Sequence, residues 1–200
     1  MDSSTAPING IRRVPAPVND PIKSYAPGSP ERAEVKRRLA AMSGECPEIP
    51  VVVGGKAIHT GDMTDVHSPH DHQHVIARFH RARPEDVTAA IAAAAEAQKE
   101  WASWRWEDRA TVMLRAAELL STSWRSTMNA ATMLGQSKTI YQSEIDAACE
   151  MTDFFRFNAH FAQELYTEQP LSVPGMWNQT DYRPLEGFVY AVSPFNFTAI

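Results

Sequence analysis

From Pro84 to about Leu165 the apolar residues recur at three and four positions, the spacing of helices that bury one face. Three helices are predicted there. The first opens at Pro84 and runs through "EDVTAAIAAAAEAQKEW". The second, "WEDRATVMLRAAELLSTSWRSTMNAATML", extends to Gly135 with a break near Ser121–Ser123. The third begins near Ser137 and continues through "YQSEIDAACEMTDFFRFNAHFAQEL". Upstream, Ser29 followed by Pro30 is a helix start, a capping hydroxyl with Pro at the first helical position. That helix ends at Gly44. From Ile49 to Phe79 the pattern shortens to strands: "IPVVV", a Gly54-Gly55 turn, then "QHVIARFH". After Gln169-Pro170 comes a strand-like stretch around a Pro174-Gly175 turn. Gly187–Ser193 is nearly all apolar, as in a strand buried on both faces of a parallel sheet. The chain therefore divides into an extended arm and helix over 1–48 and strands followed by long helices over 49–168. A hairpin segment over 169–186 and a further, incomplete strand over 187–200 complete it. Its class is α/β. An ending inside the apolar run "EGFVYAVSPFNFTAI" suggests an outer strand, or the front part of something longer.

Composition narrows the function only slightly. A formal net charge of −5 over 200 residues argues against nucleic acid as the main partner. No run of about 18 apolar residues is present to span a membrane. The opening residues lack an apolar core of the secretory kind. Cys46 and Cys149 are the only cysteines, at a spacing that matches no metal motif. Together these suggest a reducing, cytoplasmic setting.

Several groups are candidates for chemistry. The stretch "HSPHDHQH" places His67, His70, His72 and His74 within eight residues. Pro69 and Asp71 indicate a turn there, and no cysteine or glutamate is near enough in sequence to complete a zinc site. A polar hairpin connection is the preferred reading, and no metal is expected. On the third long helix Gln142, Asp146, Glu150 and Asp153 recur at three and four residues, which puts them on one face. The apolar residues around Glu150 point to partial burial, and a buried carboxylate needs a cation. Arg156 or a ligand's ammonium group can fill that role. The aromatic and methionine residues of the middle helices, among them Trp101, Trp104 and Trp124, are read as core. No glycine-rich phosphate loop and no nucleophile elbow is present. A parallel strand ending at Ser193-Pro194 places the next loop at the carboxyl edge of a sheet, where ligands bind in open α/β folds. Asn196 lies in that loop between Phe195 and Phe197. An amide donor kept from water by aromatics suits an oxyanion; an ordinary turn residue is the plainer reading.

The stretches "RPLEGFVYAVSPFNFTAI", "MLGQSKTIYQSEIDAACEMTDFFRFN" and "YAPGSPER" resemble the aldehyde dehydrogenase superfamily, most specifically its members that act on L-glutamate γ-semialdehyde. The resemblance runs from about residue 14 to the end. It implies the beginning of a Rossmann-like NAD-binding domain, with 187–200 as the first strand of the cofactor sheet. It implies NAD-dependent oxidation of L-glutamate γ-semialdehyde to L-glutamate in proline catabolism, through a cysteine thiohemiacetal. By position, Asn196 matches the oxyanion donor, and Ser193, Pro194 and Phe195 match the NAD wall. Glu150 and Phe197 match residues that face the substrate. The segment Leu171–Arg183 resembles the superfamily's oligomerisation hairpin, which implies a homo-oligomer. The nucleophilic cysteine and the general-base glutamate of the superfamily have no match here, so the chain alone is expected to be inactive. Two other readings stay open: another NAD(P)-dependent aldehyde dehydrogenase, and a truncated, non-catalytic fragment that binds intact subunits.

Overall fold

The structure, a computed structural model, describes residues 12–199. The part of the predicted arm before residue 12, and Ile200, lie outside the described residues. From residue 12 the arm runs without regular structure to Gly28. Ser29 then caps helix α1 (Pro30–Ser43), its hydroxyl accepting from Arg32 N at 3.3 Å. Gly44 closes the helix by donating its N–H to Ala41 O.

Five strands follow. β1 (Glu48–Ile49) lies parallel to β5 (Asp71–His80), which pairs antiparallel with β4 (Met63–Ser68), so the sheet order is β1-β5-β4. β2 (Val51–Val53) and β3 (Lys56–Ile58) form a separate hairpin. Its two-residue turn is Gly54-Gly55, with φ of +55° and +77°. Positive φ at both central residues matches the twist of a hairpin, which explains the glycines. β4 falls inside the 49–79 span expected to hold strands, although neither of the quoted runs covers it. Its inward residues are Thr64, Val66 and Ser68, so the alternation is real but carried largely by hydroxyls.

The helices follow the sequence closely. α2 (Pro84–Ser103) is fixed at its start by Asp86, which accepts from Arg83 N at 2.9 Å. α3 (Trp106–Ser121) and α4 (Arg125–Gln136) are separated at residues 122–124, where the break was expected. The third helix is not uniform. α5 (Ile140–Ser143) passes into a π-helical stretch, Glu144–Cys149, and then into α6 (Glu150–Thr167). α1 packs against α4, and α3 against α6.

The core differs from the expected one. Its apolar part is mostly alanine: Ala117, Ala130, Ala147, Ala148 and Ala159 are buried. Small side chains let helix backbones approach closely. The largest fully buried side chains are polar, led by Glu144, Asn129 and Thr132. Trp101, Trp104 and Trp124 are exposed instead of buried. Trp101 and Trp104 stack on each other and line a groove with Leu185, Phe188 and Val189.

The expected strand over 187–193 does not form. The segment has no regular structure, and Val189 and Tyr190 are more than four-fifths exposed. A strand that is apolar on both faces is stabilised only by neighbours in a sheet, and among the described residues none flanks it. Residues 169–186 hold a single bridge, Val173 to Met176, around the predicted Pro174-Gly175 turn. Tyr182 ties this segment back through its hydroxyl, which donates to Glu168 O at 3.0 Å.

Candidate active site

The arm is anchored by one arginine. Arg125, at the start of α4, is 3 % exposed and pairs with Asp20 of the arm and Glu144 of the π-helical stretch. Its Nη2 also donates to Pro21 O at 2.8 Å. Glu144 is completely buried. It accepts from Lys23 N at 2.8 Å, Tyr25 Oη at 2.7 Å and Asn129 Nδ2 at 2.8 Å. Burial by itself would raise the Glu144 carboxyl, but the hydrogen bonds from Arg125, Lys23, Tyr25 and Asn129 outweigh it and hold the group below the usual carboxylate range. Burial, and then the bond to Glu144, push the Tyr25 phenol well up. The charged members of this cluster are occupied by one another, so its role is to hold the arm; in the cluster, Asn129 Oδ1 is buried without a partner among the described residues. No sequence signal marked it, because Asp20 and Arg125 are far apart in the chain and meet only in the fold.

Cys149 belongs to the same cluster. Burial first, and the Glu144 charge second, push its thiol up to about 11. A thiol in that state is a poor nucleophile.

The histidine run is spent on docking the β4–β5 hairpin. His67 Nδ1 bonds His72 O at 2.9 Å, His74 Nε2 bonds Ser43 O at 2.8 Å, and His70 Nδ1 meets Ser137 Oγ at 2.8 Å. The four rings do not converge. A different trio does: Glu48, His59 and His80 bring one ligand atom each within 4.8 Å of one another. His80 Nε2 and His59 Nδ1 both lie on Glu48 Oε1, at 2.7 and 2.8 Å. Gly61 N–H, however, donates to His80 Nδ1 at 3.1 Å. That assigns the ring proton to Nε2, so His80 aims a donor and not a lone pair at the carboxylate. A metal-ligating imidazole has the opposite arrangement, with its outer nitrogen donating. The trio is a hydrogen-bonded clamp between β1 and β5.

The expected acidic stripe on the third helix is divided among partners. Gln142 caps α5 by accepting from Thr139 N at 2.9 Å. Asp146 takes Lys138 Nζ at 2.8 Å. Asp153 accepts from Asn19 Nδ2 at 2.8 Å and Asp20 N at 2.7 Å. Arg156, a candidate partner for Glu150, pairs with Asp20 at 2.9 Å. Glu150 alone is left half-buried with no ion pair or hydrogen bond among the described residues. The π-helical stretch explains the division: its wider turn displaces the residues ahead of Glu150 from an α-helical register.

Ser193, Pro194, Phe195 and Asn196 are exposed, and Phe197 is half-buried. Pro194–Phe197 is a turn closed by Phe197 N to Pro194 O at 3.4 Å, with Asn196 at its third position. Phe195 is 95 % exposed and does not shield Asn196 from water, contrary to expectation. Residues 187–193, just before it, form no strand that could cover it. The turn is nevertheless held. Lys138 Nζ donates to Asn196 O at 2.7 Å and stands 4.3 Å from the centre of the Phe197 ring. Lys138 had no sequence signal beyond its place between two helices. Its second partner, Asp146, lies in the π-helical stretch that leads into α6, which Glu150 opens. Asn196 and Phe197 are thus tied through Lys138 to the stretch that precedes Glu150.

The sequence profile of the aldehyde dehydrogenase family matches residues 58–200. Delta-1-pyrroline-5-carboxylate dehydrogenase of Agaricus bisporus is 48% identical over 190 residues, covering 94% of this chain and 35% of that protein. The mitochondrial enzyme of the same name from Mus musculus is 50% identical over 182 residues, covering 91% of this chain and 32% of that protein. The crystal structure of Delta-pyrroline-5-carboxylate dehydrogenase from Mycobacterium tuberculosis, also solved bound with NAD, superposes with a TM-score of 0.92 at 47% identity. It covers 95% of this chain and 36% of that one. The chain spans about a third of the length of the curated relatives it matches. Among the described residues no helix is long and apolar enough to cross a membrane.

Proposed function

We propose that this chain, which belongs to the aldehyde dehydrogenase family, forms the amino-terminal third of an NAD-dependent enzyme that oxidises L-glutamate γ-semialdehyde to L-glutamate. The observation that carries the reading is the tie of Asn196 and Phe197 through Lys138 to Asp146, in the stretch that leads into Glu150.

Each residue has a distinct task. A cysteine thiolate from sequence beyond these 200 residues adds to the aldehyde carbon, and negative charge collects on the aldehyde oxygen. The Asn196 amide donates to that oxygen, where fixed donors act most strongly on the transition state. Glu150 faces the cationic ammonium of the amino-acid substrate; its half-buried carboxylate has no cation partner among the described residues, which leaves it to a ligand. Phe197 forms one wall of the aldehyde pocket. NAD, when bound, accepts the hydride. Ser193, Pro194 and Phe195 offer an uncharged, exposed wall of one hydroxyl and two rings, which fits a dinucleotide face. The similarity to a structure bound with NAD supports this assignment. Residues 169–186, with Leu171 and Trp177 nearly fully exposed, are the surface on which a second subunit docks, giving a homo-oligomer.

The test is substrate selectivity in the complete enzyme. Glu150→Ala is expected to lower kcat/KM for glutamate γ-semialdehyde by about 10-fold or more, the loss of a charge-assisted contact of roughly 1.5–3 kcal/mol. Simple aliphatic aldehydes should be affected far less. Equal losses for both substrate classes would give Glu150 a structural role and contradict the reading.

A further inference from the structure

We infer that Lys138 is a positioning residue that sets the orientation of Asn196 by holding its backbone carbonyl, an inference that rests on the reading of the 193–197 loop as part of the active site. Lys138 has three ammonium donors. One goes to Asp146 Oδ2 at 2.8 Å and one to Asn196 O at 2.7 Å. The ammonium also stands over the Phe197 ring at 4.3 Å, within the range of a cation–π contact. Its side chain is only 15 % exposed.

The scaffold around Lys138 is rigid. Ser137, just before it, ends α4 in the left-handed conformation, φ +56°, and turns the chain off the helix axis. Thr139, just after it, caps α5 through a reciprocal pair with Gln142. Lys138 is therefore the one residue between two capped helix ends, with its stem aimed by both. Asp146, in the π-helical stretch, fixes the ammonium from the other side. The loop it holds has little else to hold it: Ser193–Asn196 are exposed, and one 3.4 Å bond closes the turn. Fixing the Asn196 carbonyl fixes the peptide plane after it, which narrows the backbone orientation from which the Asn196 side chain projects. An oxyanion donor works only if it is already placed when charge develops, so the carbonyl contact matters to the chemistry although Lys138 touches no reacting atom.

The experiment has two arms. In the 200-residue chain, hydrogen exchange is measured for Lys138→Met, Lys138→Arg and Asp146→Asn. Lys138→Met is expected to speed exchange at residues 195–199 while α4 and α6 exchange as before. Asp146→Asn, which frees the ammonium, should do the same to a smaller degree, and Lys138→Arg should restore protection. Unchanged exchange at 195–199 in Lys138→Met overturns the inference. In the complete enzyme, Lys138→Met is expected to lower kcat by about 10-fold with the KM for NAD unchanged, below the roughly 10²–10³ of losing an oxyanion donor outright. In an Asn196→Ala background it should cost nothing further, because the two act through one amide. Full additivity of the two losses overturns the inference. An enzyme with no aldehyde oxidation at all sinks the functional reading instead, and the exchange arm still decides whether Lys138 holds the loop.

Discussion

Cys149 and Cys46 occupy opposite environments. Cys149 is buried beside Glu144 and Arg125, with its thiol pushed up to about 11 by burial and then by the carboxylate. Cys46 is exposed. Only a thiolate that a reagent can reach reacts quickly. Iodoacetamide at neutral pH is therefore expected to label Cys46 and leave Cys149 intact until denaturant is added. Mass spectrometry of the labelled peptides checks this, and rapid labelling of Cys149 in the native chain would contradict the burial argument. At this scale the sequence is informative about identity and silent about surroundings. Cys149 reads as a helix residue, but its partners come from positions 20, 125 and 144, which no local pattern links. Asn196 shows the converse: the loop was visible in "VSPFNFT", yet the shielding expected from Phe195 depended on a sheet that these residues do not supply.

The elements are joined through Glu144 and Arg125, which tie the arm, α4 and the π-helical stretch together. A buried pair adds little over an apolar one of the same volume, but breaking it strands a charge. Glu144→Gln is expected to cost about 3–5 kcal/mol of stability, read by chemical denaturation, with protease cleavage at the arm appearing first. The pH dependence has a definite sign. The folded Glu144 carboxyl titrates below its unfolded value of about 4.3, so its stabilisation is fully present above that pH and is lost as pH falls through the lower folded value. Acidification should release the arm in the native chain, and the Glu144→Gln variant should lack that transition. Unaltered stability of the variant would mean that Asp20 alone satisfies Arg125. The caps made most elements legible: Ser29-Pro30 for α1, Pro84 for α2, Gly54-Gly55 for the β2–β3 turn. β4 escaped notice because two of its three inward residues, Thr64 and Ser68, are hydroxyl-bearing. The π-helical stretch escaped because a wider turn changes register without changing composition. That one change also dispersed the acidic stripe read from Gln142 to Asp153.

The whole molecule is an arm-clasped helical assembly flanked by a small sheet, and from 169 onward it becomes an apolar, exposed segment. Family membership was readable from "PFNF", which lies at the proposed site, and from "DFFRFN", whose Asp153 and Arg156 hold the arm. The buried strand was misread because an apolar run holds as a strand only where neighbours in a sheet flank it, and none does among the described residues; the chain spans about a third of the length of the relatives it matches. The central claim is that the loop held by Lys138 presents Asn196 to the aldehyde oxygen. Its most direct test is single-turnover hydride transfer by the complete enzyme carrying Asn196→Ala, alongside titration of NAD. The account predicts a rate lower by about 10²–10³-fold, as for other oxyanion donors, with NAD affinity nearly unchanged. A near-normal rate, or a loss that tracks weakened NAD binding, would contradict it and leave Asn196 as a turn residue only.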